Sequence, residues 1–293
     1  MMAYASEPAQ LFAAELATAN PVRLALAIAR ISDPALQPEA YLQKLDEMAA
    51  VVAPRVTAAA PGGARALALV QALRLDLGLR GNTEHYYDAA NSFLNVVIDR
   101  RMGLPIMLSL VLVAIGERLG LAVAGAGFPG HFMARYDDEE GTWFLDAFHG
   151  AVMTSEDVPP YLLKLFGQSE FKLDPAFYEP VTPTAWAQRI LNNLHAVYLN
   201  AGEMKMLAQV LPLMLVLEPT RQELWHEYGI VAYRLGELVQ AARALRRYFY
   251  LSGHLVLSAP NSTVPAPSPS LDAAQQQLWN LLEEIEAAST RWN

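Results

Sequence analysis

No cysteine occurs among the 293 residues, so a disulfide framework, a thiolate nucleophile and a thiolate metal site are all excluded. Basic residues are in deficit as well. Lys and Arg number 21 against 30 Asp and Glu, a formal net charge of −9, the wrong sign for gripping a phosphate backbone. Nucleic acid is therefore not an expected partner. Long apolar runs are missing too: the longest uncharged one, MGLPIMLSLVLVAIG between Arg101 and Glu117, falls short of the roughly 20 residues that cross a bilayer. It reads as a buried core helix, and no membrane contact is expected. The opening segment has Glu7 and Glu15 among its apolar residues and no basic n-region, so it does not read as a secretory leader, and the expected location is the cytoplasm. Charged residues are only 17% of the chain and hydrophobic ones 53%, a composition that folds rather than one that stays disordered.

The apolar pattern sets the organisation. From Leu11 to Val56, alanine and leucine recur at helical spacing, broken at Asn20-Pro21 and Asp33-Pro34, which predicts three short amphipathic helices. Ala-Pro-Gly-Gly at 60–63 marks a loop, and a further helical pattern runs on until Gly81-Asn82. The character changes between Ala122 and Phe148, where AVAGAGF, HFMARY and TWFLDAF read as three strands separated by Pro-Gly and by the charged turn DDEEG. Consecutive strands with short turns after a buried helix favour an antiparallel α+β layer over a doubly wound sheet. Ser155-Glu156-Asp157 then introduces a helix that ends near Gly167.

Past Pro183 the pattern is wholly helical. Trp225, Gly229, Ala232, Gly236, Ala241, Leu245 and Tyr248 fall where the packing residues of a tetratricopeptide unit belong. One period of about 34 residues earlier, Leu191, Leu194, Tyr198, Gly202, Leu207 and Leu211 follow the same scheme, with Pro219 at the closing turn. The expected division is thus a helical segment at 1–80 packing on the core, an α+β core at 81–182, two tetratricopeptide-like repeats at 183–258, a flexible insertion at 259–270 and a capping helix at 271–293.

Chemistry-bearing residues gather between Tyr86 and Gly150. His131 follows Pro129-Gly130 at a strand start, and Asp146 lies near the end of the next strand, in FLDAFHG. If these strands form a hairpin with 131 opposite 146, the turn is centred between Asp138 and Glu139, inside the charged DDEEG. A carboxylate accepting from one imidazole nitrogen fixes the tautomer of the other, as a general base requires. The helix that begins at Pro105 can present free N–H groups to an anion, and within its first turns only Ser109 offers a hydroxyl. Alternatively, Ser109 is a small residue at a close approach, bonded to a carbonyl one turn earlier. His149 with His131 and Asp146 contains suitable metal ligands. No dense ligand motif accompanies them, and neither a metal nor a cofactor is expected. Asn91-Ser92 reads as a helix cap, beside Tyr86, Tyr87, Asp88 and Asn95.

The order of buried helix, strand with His and strand with Asp resembles the core of the transglutaminase-like superfamily, whose papain-like triad is Cys, His and Asp. The longer string YYDAANSFLNVVIDRRMGLPIMLSLVLVAIGERLGL, with GFPGHF and FLDAFHG, resembles a narrower branch. That branch is the SirB family of bacterial transglutaminase-like proteins with C-terminal tetratricopeptide repeats, whose domain also occurs beside an F-box in eukaryotes. The resemblance runs from about Pro34 to Leu251. It implies that His131 and Asp146 are the triad's His and Asp, and that the cysteine position lies at or close to Pro105, where no side-chain nucleophile exists. Cysteine-dependent transglutaminase or protease chemistry is excluded whatever the fold.

Three functions remain open. In the first, the degenerate domain is a binding or regulatory scaffold that holds a ligand in a pocket around His131, Asp146, Pro105, Tyr87, Asn91 and His149, while the repeats engage a protein or peptide partner. The second is a hydrolase or acyltransferase using Ser109 or an activated water, with His131 as base and Asp146 as its orienter; it requires Ser109 Oγ within about 3.2 Å of a His131 nitrogen. In the third, His131 and Asp146 are a stabilising pair without a ligand.

Overall fold

The computed structural model describes residues 6–167, 173–255 and 271–290. Twelve α-helices and six short strands occur among them in the order α1 (Glu7–Glu15), α2 (Pro21–Ala29), α3 (Pro38–Ala58), α4 (Gly63–Gln71), β1 (Arg80–Gly81), α5 (Leu94–Arg100), β2 (Met102–Gly103), α6 (Pro105–Arg118), β3 (Ala122–Ala126), β4 (Met133–Asp138), β5 (Gly141–Asp146), β6 (Ala151–Met153), α7 (Val158–Phe166), α8 (Pro183–Ala201), α9 (Met204–Leu217), α10 (Gln222–Arg234), α11 (Leu238–Leu251) and α12 (Ala273–Thr290). The three helices read between Leu11 and Val56 are α1 to α3, with their breaks at Asn20-Pro21 and before Pro38. Asn20 caps α2 by accepting from Arg23 N at 3.0 Å, and prolines open α2 and α3 where a missing N–H costs nothing. Among the described residues no helix is long and apolar enough to cross a membrane.

The chain forms two compact units, one of residues 14–197, the other of residues 1–13 and 198–293. In the larger unit α6 is the axis. Its residues from Pro105 to Gly116 are all buried, which is why the run has almost no polar face. Against it lies an antiparallel meander in the order β3-β4-β5-β6, mostly helical surroundings making this an α+β unit. Gly116 allows the approach: a Cβ there would stand 2.5 Å from Val123 Cγ2 on β3. The other face of the sheet, with Met133, Phe144 and Met153, packs on Val158 and Leu162 of α7. This sheet has four strands rather than the three read from the sequence, because β6 is only three residues long and lacks a pattern of its own. The small parallel pair β1-β2 was also not foreseen; two residues per strand carry no periodicity.

The hairpin register departs from expectation. Ala134 pairs with Leu145 and Asp138 with Gly141, so the turn is Glu139-Glu140 and the centre lies one residue later than expected. Asp138 at the first position accepts from Glu140 N at 2.9 Å and Gly141 closes the fourth, the residue preferences of a type I turn. His131 consequently lies outside the ladder, two residues before β4 begins.

In the smaller unit α10 and α11 form a tight hairpin. Gly236, in the left-handed region at φ 77°, ends α10, and Glu237 N closes the turn on Ala232 O at 2.9 Å. Gly229 lets the helices meet, since a Cβ there would be 2.6 Å from Leu245 Cδ2. α12 places Trp279, Leu282 and Ile285 in one cluster with Leu245 and Phe249. The whole segment expected as a flexible insertion, 259–270, and the last three residues lie outside the described residues.

Candidate functional site

The turn FPGH puts His131 in place. Pro129 takes the second position and Gly130, at φ 71°, the third, as a type II turn requires, and His131 N returns to Phe128 O at 3.2 Å. Arg189 of α8 locks the turn from outside. One of its guanidinium nitrogens donates to Phe128 O at 2.8 Å and to His131 O at 2.9 Å, while the group lies 5.0 Å over the Phe132 ring. Burial pulls the Arg189 pKa down.

Asp146 ends β5 on the face that α7 covers, because in a strand alternate residues share a face and Phe144 already packs there. Its carboxylate is 0% exposed and accepts five hydrogen bonds. Oδ1 takes Phe148 N at 2.9 Å and His149 N at 3.0 Å, winding DAFHG into a turn that Gly150 closes at φ 82°. Oδ2 takes His131 Nε2 at 2.7 Å, His149 Nδ1 at 2.8 Å and the Tyr161 hydroxyl at 2.7 Å. Burial pushes the Asp146 carboxyl up. The bonds from His131 and His149, the electrostatic attraction of the His131 ring and the His149 backbone N–H outweigh it and hold the group well below the usual carboxylate range. Burial, the Asp146 charge and the shared bond push the Tyr161 hydroxyl up, so it stays a donor.

An ionised carboxylate accepts only, which fixes both rings: His131 must carry its proton on Nε2 and His149 on Nδ1. Among the described residues the other nitrogens, His131 Nδ1 and His149 Nε2, have no hydrogen-bond partner. The rings lie 5.6 Å apart; His131 is 6% exposed, whereas the side chain of His149 is 39% exposed.

The same three residues, His131, Asp146 and His149, bring ligand-type atoms within 4.8 Å of one another. As built they do not suit a metal. A tetrahedral ion with bonds of about 2.0–2.1 Å needs donors roughly 3.3 Å apart, and the Oδ2 distances of 2.7 and 2.8 Å are those of hydrogen bonds. Five donors also saturate the about four lone-pair directions of a carboxylate, leaving none for an ion.

The other expected site residues separate into those drawn in and those not. Ser109 is 0% exposed and its hydroxyl donates to Phe132 O at 3.4 Å; neither the bond to His131 that serine catalysis requires nor a back-bond one turn earlier is formed. Pro105 is buried at the first helical position, and the amides of Met107 and Leu108 return to Leu104 O, so two of the N–H groups expected to be free are taken up inside α6. Asn91 is not a cap: it is 2% exposed and its amide donates to His85 O at 2.7 Å and Tyr86 O at 3.2 Å while accepting from Asn82 at 3.0 Å. Asp88 does the capping, accepting from Ala90 N. Tyr87 stands edge-on to Tyr86, Tyr86 to Phe148 and Phe148 to His149, a file of rings that leads from the 82–91 loop to the carboxylate cluster.

Tyr161 and Arg189 went unread in the sequence. Tyr161 looks like one more apolar-stripe residue of α7, and the residues Arg189 binds are backbone carbonyls, which leave no pattern. His149 was singled out in the sequence as a metal-ligand type and pocket residue; its three-residue spacing to Asp146, which sets the observed bond, is a signal that was not used.

The core that carries this cluster is that of the transglutaminase-like superfamily: its model matches residues 39–192, just over half the chain, and the chain belongs to that superfamily. It is similar to a UPF0162 protein of Xylella fastidiosa, 34% identical over 183 residues, 60% of this chain and 63% of that one. A UPF0162 protein of Pseudomonas aeruginosa is 29% identical over 199 residues, 68% of each chain. Human F-box only protein 21 is 29% identical over 171 residues, 55% of this chain and 26% of that one. The match thus spans less than two thirds of the Xylella relative's length.

Proposed function

We propose that this chain is a cysteine-free transglutaminase-like protein that binds rather than acylates: a regulatory scaffold of the SirB branch, located in the cytoplasm. Its His131–Asp146 pocket takes a peptide or small polar ligand, and its helical hairpins, of tetratricopeptide type, engage a protein partner. One observation carries this reading. The orienting half of a triad is built in full on Asp146, with His131 Nε2 at 2.7 Å, while Pro105 and the engaged Ser109 supply no nucleophile. A pre-set imidazole with an open nitrogen is a directional hydrogen-bond acceptor whether or not it moves a proton. The repeat assignment is supported by Gly229 and Gly236 at the crossing and turn of the α10–α11 hairpin, since small residues let paired helices stack.

The test is an assay of the purified chain against p-nitrophenyl esters and peptide amides beside His131→Ala, with intact-protein mass spectrometry. The reading predicts equal background rates and no acyl adduct. Turnover that depends on His131 contradicts it.

A second reading, hydrolysis by activated water, is favoured by one feature: the imidazole is already held in the tautomer that leaves Nδ1 bare. In that case His131 Nδ1 takes a proton from water as its oxygen bonds to an ester or amide carbonyl carbon. The leaving group departs with a proton as the tetrahedral intermediate collapses.

A further inference from the structure

Next to Phe148, the loop from Glu84 to Asp88 forms a shallow, open surface cleft of about 420 Å³ lined by Glu84, His85, Tyr86, Tyr87 and Asp88. Its wall is aromatic and in contact with water: Tyr87 is 80% exposed and Tyr86 38%. Exposed tyrosines at a surface are common on floppy loops, but this loop is pinned. Asn82 and Asn91, both buried, hold it through Asn82 Oδ1 to His85 N at 3.0 Å and through the Asn91 amide to the carbonyls of His85 and Tyr86. The backbone that carries the two rings is therefore held in place, and the rings stand edge to face at 5.4 Å.

Two carboxylates, Glu84 and Asp88, line the cleft. Glu84 has no ion partner among the described residues, and Asp88 shares its charge with Arg100 at 3.2 Å. Aromatic faces are negative as well, and a cation over such a face within about 6 Å is attracted to it. The chain as a whole carries −9.

We propose that this cleft binds a basic side chain, the ammonium or guanidinium of a lysine or arginine in a peptide partner, with Tyr86 and Tyr87 as its aromatic wall and Glu84 as its counter-ion. The peptide then runs from Tyr86 toward the exposed edge of His149. The inference rests on the binding reading above and gives it a specificity element.

The experiment is a titration of the full chain with Nα-acetyl-arginine amide, Nα-acetyl-lysine amide and, as controls, Nα-acetyl-norleucine amide and Nα-acetyl-glutamate amide, followed by two-dimensional NMR. The expected result is saturable millimolar shifts at His85, Tyr86 and Tyr87 with the two basic probes only. Binding should weaken at least fivefold in Tyr87→Ala and about threefold in Glu84→Gln, both exposed positions where folding is not at risk. Equal shifts with norleucine, or no shift at this loop with any basic probe, overturn the proposal. Shifts confined to His131 and His149 overturn it too while leaving the binding reading intact; His131-dependent turnover in the ester assay overturns that reading without touching the cleft.

Discussion

The Tyr161 hydroxyl donates to Asp146 Oδ2 at 2.7 Å, so a side chain of α7 and the end of β5 share one proton position beneath His131. Tyr161→Phe removes that bond and nothing else of the ring. A hydrogen bond to a charged group is worth roughly 1.5–3 kcal/mol, and urea unfolding at neutral pH should show a loss of that order. A loss under about 0.5 kcal/mol, the usual span of a surface change, would show that Tyr161 is not part of the network.

Asp146 links the site to acid stability. Its folded pKa is depressed, so its contribution is fully present above the unfolded carboxylate value of about 3.9 and is lost as pH falls from there toward the folded value. Wild type should therefore lose stability steeply below about pH 4. In Asp146→Asn, stability at neutral pH should drop by about 1–3 kcal/mol for each buried donor left unsatisfied, and the acid dependence should flatten. Parallel urea-midpoint curves from pH 6 to pH 3 for the two proteins would contradict this account.

Arg189 is the outer support of His131. Arg189→Leu leaves the His131 carbonyl without its donor and Phe128 O with His131 N alone, and it loosens the turn that aims the ring. The expected cost is about 1–3 kcal/mol for the one acceptor left unsatisfied. The His131 ring resonances should shift together with the amides of residues 128–132. Stability loss without movement of the His131 signals would assign Arg189 to packing alone.

Gly125 is held small by Trp186. An added Cβ would stand 2.8 Å from the Trp186 ring at its Cε3 and Cη2, atoms of a rigid side chain that is 2% exposed. Gly125→Ala should cost about 1–3 kcal/mol and alter tryptophan fluorescence. Gly120 offers the contrast, with nothing near its Cβ but a φ of 72°; its change to Ala should cost about 1–2 kcal/mol through the backbone and leave the fluorescence unchanged.

Much of the site was legible because its markers are local. Pro129-Gly130 announces the turn that aims His131, Pro105 announces the start of the buried helix, and DDEEG announces the hairpin. The pairing of His131 with Asp146 was reached through a register that the structure moves by one residue at the turn; the two meet because His131 leaves the ladder and its ring reaches back. Asn91 was misread as a cap because buried amides that tie a loop use the same residue type as caps do. Tyr161 and Arg189 act across long sequence distances on a side chain and on carbonyls, where single-sequence patterns carry no signal.

The central claim is that Asp146 fixes both imidazoles, leaving His131 Nδ1 open. Long-range proton–nitrogen correlation spectra of histidine-labelled protein, at a pH where each ring carries one proton, read this directly. The account predicts the Nε2–H tautomer for His131 and the Nδ1–H tautomer for His149, both lost to averaging in Asp146→Asn. A His131 ring protonated on Nδ1, with Nε2 bare toward the carboxylate, would contradict it.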